Sequence, residues 1–89
     1  MPNAFTCTIT TPEAQVFDAE VQSVTLPAHD GRMGVMKNHA PMMVELGEGD
    51  LLVEGLDRHE ARKRFSVQGG FAQIKDNRLV VLTGAAEAR

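Results

Sequence analysis

The sequence predicts an all-β protein, a sandwich or barrel of eight to ten short strands, and three observations carry that expectation. Residues 4–10 alternate apolar and polar side chains with a period of two. Turn-forming residues recur about every 8–12 positions. No window carries the apolar spacing of an amphipathic helix.

Taken in order, Phe5, Cys7 and Ile9 should share one face of a first strand, with Thr6, Thr8 and Thr10 on the other. Cys7 then reads as a small buried hydrophobe, not a reactive thiol. Thr11-Pro12-Glu13 breaks the ladder, because proline cannot donate to it. Residues 15–19 form a second strand. Residues 20–26 form a third, with Val24 and Leu26 inward, Val21 across a bulge or near an end, and Pro27 as its terminator.

The stretch from Leu26 to Asp50 is expected to follow a prescribed irregular path. It holds four of the five methionines and alternates glycines with prolines, which respectively free and fix the backbone. Within it, residues 42–46 read as a strand, joined to another over 50–54 by the Gly47-Glu-Gly49 turn. Residues 57–62 read as a charged hairpin tip, and residues 63–67 as a strand with Phe65 and Val67 inward. Gly69-Gly70 reverses or kinks the chain before a strand over 71–74. Residues 75–78 are a turn, and residues 79–83 a nearly continuous apolar strand. The last five residues favour helix but are too few to hold one.

The whole chain, residues 1–89, is expected to be one domain, with a thin core that buries roughly 60–65% of the extended surface. Trp and Tyr are absent, so a base-stacking nucleic-acid platform has little to use. A net charge of −3 argues further against phosphate backbones or anionic lipid as partners. One cysteine permits no internal disulfide, no run is long enough to span a membrane, and the N-terminus lacks a signal-peptide pattern. A soluble cytoplasmic domain is the expectation.

No catalytic constellation emerges. His59-Glu60 opens like a metalloprotease motif, but Lys63 stands where the second histidine should be. His29, Asp30 and His39 could be imagined as a metal set, yet neighbours on an extended backbone point to opposite faces, and a turn with hydrogen-bonding side chains fits better. Arg58, His59, Arg62, Lys63 and Arg64 are interleaved with Asp57 and Glu60, as on a solvated hairpin tip. No catalytic residue, cofactor, metal or small-molecule ligand is therefore expected. Met33, Met36, Met42 and Met43 either pack or offer an adaptable contact surface; adjacent Met42 and Met43 must send one side chain outward.

The ordered set Gly31-Arg-Met-Gly34-Val35, His39-Ala40-Pro41, Gly49 before a strand, and Gly69-Gly70 before the last strands resembles the epsilon subunit of F-type ATP synthase, called delta in mitochondria. The resemblance covers about 80 residues. It implies a flattened ten-stranded sandwich and a non-catalytic place in the rotating central stalk, bound to gamma and resting on the ring of c subunits. It further implies a peripheral position on the cytoplasmic face of a bacterial membrane, without insertion. Gly31, Arg32, Met33 and Gly34 would face the ring. His39, Ala40, Pro41 and Met42, with Thr11 and Pro12, would face gamma.

Several family members have an acidic residue where this chain has Arg32. Longer members continue into a C-terminal helical hairpin that restrains ATP hydrolysis; this chain stops at Arg89. The hairpin and its functions are not expected here, which leaves a naturally short subunit or the first domain of a longer one. The alternative from another class is a stand-alone sandwich that binds a ligand or another protein. The lack of Trp and Tyr counts against a sugar-binding version.

Overall fold

The computed structural model describes residues 4–56 and 62–89. The described residues form ten strands and no helix: β1 (Phe5–Thr10), β2 (Gln15–Val21), β3 (Ser23–Ala28), β4 (Gly31–Met36), β5 (Met42–Glu45), β6 (Glu48–Glu54), β7 (Lys63–Gln68), β8 (Phe71–Lys75), β9 (Arg78–Leu82) and β10 (Ala86–Ala88). They make two five-stranded sheets, ordered β2-β1-β9-β8-β5 and β10-β7-β6-β3-β4. All pairings are antiparallel except β1 with β9, which run parallel at the centre of the first sheet.

Period-two alternation builds the core. Phe5, Cys7 and Ile9 face inward beside Leu79 and Val81, while Leu26, Leu51, Val53 and Val67 close from the second sheet. Phe17 of β2 meets Phe65 of β7 edge to face, with ring centroids 5.5 Å apart. This pair ties the sheets together near one margin and contributes about 0.5–1.5 kcal/mol beyond its buried area. Among the described residues every buried side-chain polar atom has a partner. Thr83, for example, sits within hydrogen-bonding reach of the carbonyls of Gln68 and Ala85.

The second and third strands divide differently from the expectation. β2 continues to Val21, which is buried opposite Phe5, and the chain passes to the other sheet at Gln22. The bulge lies instead at Val16, left between the Ile9–Phe17 and Thr10–Gln15 pairs. Pro27 does not end β3; it pairs with Arg32 inside a regular β3–β4 hairpin. The tolerance has a local cause. The Pro27 carbonyl accepts from Gly47 N–H, so its nitrogen also faces that side, beyond the last β3–β6 pair at Thr25–Leu52. No ladder bond is lost there.

The central stretch is accordingly more regular than expected, being largely strands β3, β4, β5 and β6. Gly47-Glu-Gly49 does not close a hairpin. β5 and β6 lie in different sheets, and Glu48 and Gly49 already belong to β6. Of the expected hairpin tip at residues 57–62, all but Arg62 lies outside the described residues. Lys63 and Arg64 belong to β7. The last residues form the edge strand β10 on β7, because pairing with an existing sheet replaces the helix nucleation that so short a segment cannot supply.

Gly69-Gly70 carries the chain from β7 in one sheet to β8 in the other. Gly70 has φ +106°, and a Cβ there would lie 2.8 Å from the Thr83 Cα and closer still to the Leu82 carbonyl oxygen. Neither contact is with a flexible side chain. Gly70→Ala is expected to destabilise the fold by roughly 3 kcal/mol or more, from combined backbone strain and overpacking. Urea denaturation of the two proteins measures this.

Candidate functional site

Two groups of residues were candidates for partner contacts. Gly31, Arg32, Met33 and Gly34 lie on β4, an edge strand of the second sheet with only β3 beside it. They form a strand and not a loop, so their side chains alternate. Met33 leans against the core, while Arg32 and Gly34 face outward. Gly31 closes the two-residue turn at His29-Asp30 with φ +142°, a conformation that side chains disfavour. Gly34 has no such constraint, and a Cβ there would meet nothing within 4 Å.

Arg32 is engaged within its own chain. Its Nη2 donates to the Asp50 carbonyl at 3.1 Å, and the Asp50 carboxylate lies 3.7 Å from Arg64 Nε. Nearby, Arg62 meets Glu54 at 3.3 Å. These pairs are solvent-exposed and contribute little to stability. The Lys63 ammonium sits 5.3 Å from the Phe17 ring centroid. The described part of the basic cluster is thus spread over β7 and the residue before it.

His39, Ala40 and Pro41 form the crossing between β4 and β5. The turn before them places Asn38 at φ 66°, and His39 N–H donates to the Met36 carbonyl. His39 Nδ1 lies 2.8 Å from the Ala40 carbonyl oxygen. Asn38 N–H donates to Asn77 Oδ1 at 2.6 Å, and Asn77 Nδ2 donates back to Asn38 Oδ1 at 3.3 Å. The sequence placed Asn77 in a turn but assigned neither asparagine a role. The signal available was that asparagine tolerates the left-handed backbone a tight turn demands.

Thr11 and Pro12 are at the other end of the first sheet. The registers put Thr10, Leu82, Phe71 and Glu45 at that end, and Arg78, Lys75 and Met42 toward the end where Asn77 holds the crossing. The separation is roughly 13 Å along the strands at about 3.4 Å per residue. Thr11 is buried and bonded to Ala14 through its backbone and hydroxyl, which leaves Pro12 as the exposed member. His29 and His39 are likewise at opposite ends, since His29 N–H donates to the Glu45 carbonyl while His39 follows the Asn38–Asn77 contact.

An apolar surface that the sequence did not reveal connects the separated groups. On the outer face of the first sheet, Phe71 is 53% exposed and pairs with Leu82, which is 54% exposed. Met43, 64% exposed, lies on the same face one step away, opposite Gln73. Leu82 in turn helps line a depression with Pro12 and Thr83. Met42 and Met43 are both exposed, where the sequence required only one to be, because Met42 opens a short edge strand and has little above it. The signal in the sequence was β9 itself: apolar residues at both parities leave Val80 and Leu82 facing out.

Cys7 is fully buried, as expected. Burial pushes its thiol up to about 12, with Asp18 adding to the rise. Among the described residues no three His, Cys, Asp or Glu side chains gather as metal ligands would.

Residues 4–89 match the model of the ATP synthase delta/epsilon chain β-sandwich domain. The chain is 44% identical over 81 residues to the ATP synthase epsilon chain of Symbiobacterium thermophilum, covering 90% of this chain and 56% of that protein. It is 43% identical over 86 residues to that of an Anaeromyxobacter strain, covering 96% and 62%. The chain therefore spans about three fifths of the length of such relatives. A chain in the Euglena gracilis mitochondrial ATP synthase (OSCP/F1/c-ring) superposes with a TM-score of 0.88 at 24% identity, over 99% of this chain and 55% of that one. A chain in the Tetrahymena thermophila mitochondrial ATP synthase central stalk/c-ring gives 0.77 at 15% identity, over 92% and 64%. At those identities the likeness is one of fold.

Two expectations follow. Gly34→Ala should not destabilise the chain and should stabilise it by roughly 0.5 kcal/mol, through the entropy of the unfolded state; thermal denaturation reads the sign. The Cys7 thiol ionises more readily unfolded than folded, so stability should fall as pH rises from 9.0 towards about 12. Urea midpoints across that range should show a steeper decline for the native sequence than for Cys7→Ala.

Proposed function

The chain belongs to the ATP synthase delta/epsilon β-sandwich family, and on that premise we propose that it works as the sandwich of a central-stalk subunit in an F-type ATP synthase. In this reading it is non-catalytic. It joins a gamma subunit to the ring of c subunits, so that torque from ion flow reaches the catalytic head. Its place is peripheral, on the cytoplasmic face of a bacterial membrane.

The family match over residues 4–89, on a chain that folds as the sandwich, is the observation that carries the proposal. The physical character of the domain agrees with it. Two sheets around one core resist shear, and His29 and His39 stand at opposite ends of the first sheet. The exposed edge strand β4 supplies the ring-facing candidates Gly31, Arg32, Met33 and Gly34. The crossing His39-Ala40-Pro41, with Met42 at the start of β5, supplies the gamma-facing candidates, joined along the apolar outer face to Pro12 beside Thr11.

Co-purification with the gamma subunit of the same organism tests the reading. The native chain should bind gamma, and His39→Ala or Pro41→Ala should weaken binding about tenfold, the loss of roughly 1.4 kcal/mol that one well-placed interface residue supplies. Full binding after residues 31–41 are scrambled, in a chain that still folds, would refute it.

A further inference from the structure

We propose that Asn77 is a positioning residue for the partner-facing segment His39-Ala40-Pro41, which it holds through a two-way amide clamp with Asn38. The inference rests on the reading of that segment as a gamma contact and adds what sets its geometry. Residues 37–41 carry the chain from β4 in one sheet to β5 in the other, so no ladder holds them. The bond from Asn38 N–H to Asn77 Oδ1 is short, 2.6 Å, and fixes the backbone one residue before His39. The return bond from Asn77 Nδ2 to Asn38 Oδ1, 3.3 Å, closes the ring. Only this orientation of the Asn77 amide works, since the flipped one would set a donor against a donor.

Asn77 is itself well anchored. It sits in the two-residue β8–β9 turn, where Asp76 and Asn77 have φ 52° and 57°, and its carbonyl accepts from Thr6 N–H on β1. The segment is therefore tied to the centre of the first sheet, not to its edge. Both asparagines adopt the left-handed conformation that glycine accepts at lower cost. A backbone requirement alone would be met better by glycine. What asparagine adds at both places is the side-chain amide, and the two amides meet each other.

A held segment loses less freedom when a partner binds, and so binds more tightly than a loose one of the same composition. The clamp also predicts an asymmetry. Asn77→Gly removes the acceptor of the short bond, whereas Asn38→Gly keeps its N–H donor and loses only the longer bond. Asn77→Asp keeps the acceptor.

The test pairs amide hydrogen exchange in the folded chain with binding to the gamma subunit. Asn77→Gly should leave the urea midpoint nearly unchanged, speed exchange at Asn38 by about tenfold, and weaken gamma binding several-fold. Asn38→Gly should do much less, and Asn77→Asp should restore protection and affinity together. Unchanged Asn38 exchange in Asn77→Gly overturns the clamp. Faster exchange with undiminished binding, while His39→Ala still weakens binding, overturns the positioning role and leaves the contact standing. If His39→Ala and Asn77→Gly both bind as the native chain does, the segment is not the contact and the positioning role falls with it.

Discussion

The constraint on which the architecture turns is the close passage of the chain at its sheet-to-sheet crossings. Most links between consecutive strands here change sheets, and at Gly70 the crossing runs directly against the backbone of Leu82 and Thr83. A side chain would push the β7–β8 link away from the end of β9. The bonds that finish that end of the sandwich, Leu46 N–H to the Gly70 carbonyl and Gly69 N–H to the Gly47 carbonyl, depend on the same closeness. With the end closed, the inward side chains of both sheets share one core.

Much of this was legible in the sequence, and for one reason. Where a strand is buried on one side only, period two in polarity is period two in space, as in β1 and β7. What was not legible is what polarity does not encode. Nothing local says that β5 and β6 part company into different sheets, because a glycine turn can close a hairpin or make a crossing. Pro27 reads as a terminator unless the side to which its missing donor points is known, and that depends on where β6 stops pairing. The terminal Ala-Glu-Ala has helical propensity but takes its conformation from the free edge of β7.

The candidate contact residues show the same division. Gly31 could be recognised as a glycine that the backbone needs, and the crossing at His39-Ala40-Pro41 as a place where the ladder is interrupted. Their relation in space could not be read. Thr11-Pro12 and His39–Met42 are far apart in the chain and at opposite ends of one sheet, and Phe71, Leu82 and Met43 form the apolar ground between them. A sheet face shared by three strands is a non-local object. Arg32 also changes character in three dimensions: part of its hydrogen-bonding capacity is already spent on the Asp50 carbonyl.

The parallel pairing of β1 with β9 has a consequence for how the chain reaches this state. Thr6 stands beside Arg78 and Thr10 beside Leu82, so the first of the ten strands is completed by the ninth. The β1–β2 hairpin can close early, but its inner edge stays open until the β8–β9 hairpin arrives to fill the centre of the sheet. On a ribosome, that leaves a threonine-rich strand with unpaired backbone groups until the ninth strand has been made. Assembly of the first sheet is thereby made a late event, delayed by the order of the strands and not by any weakness in their packing.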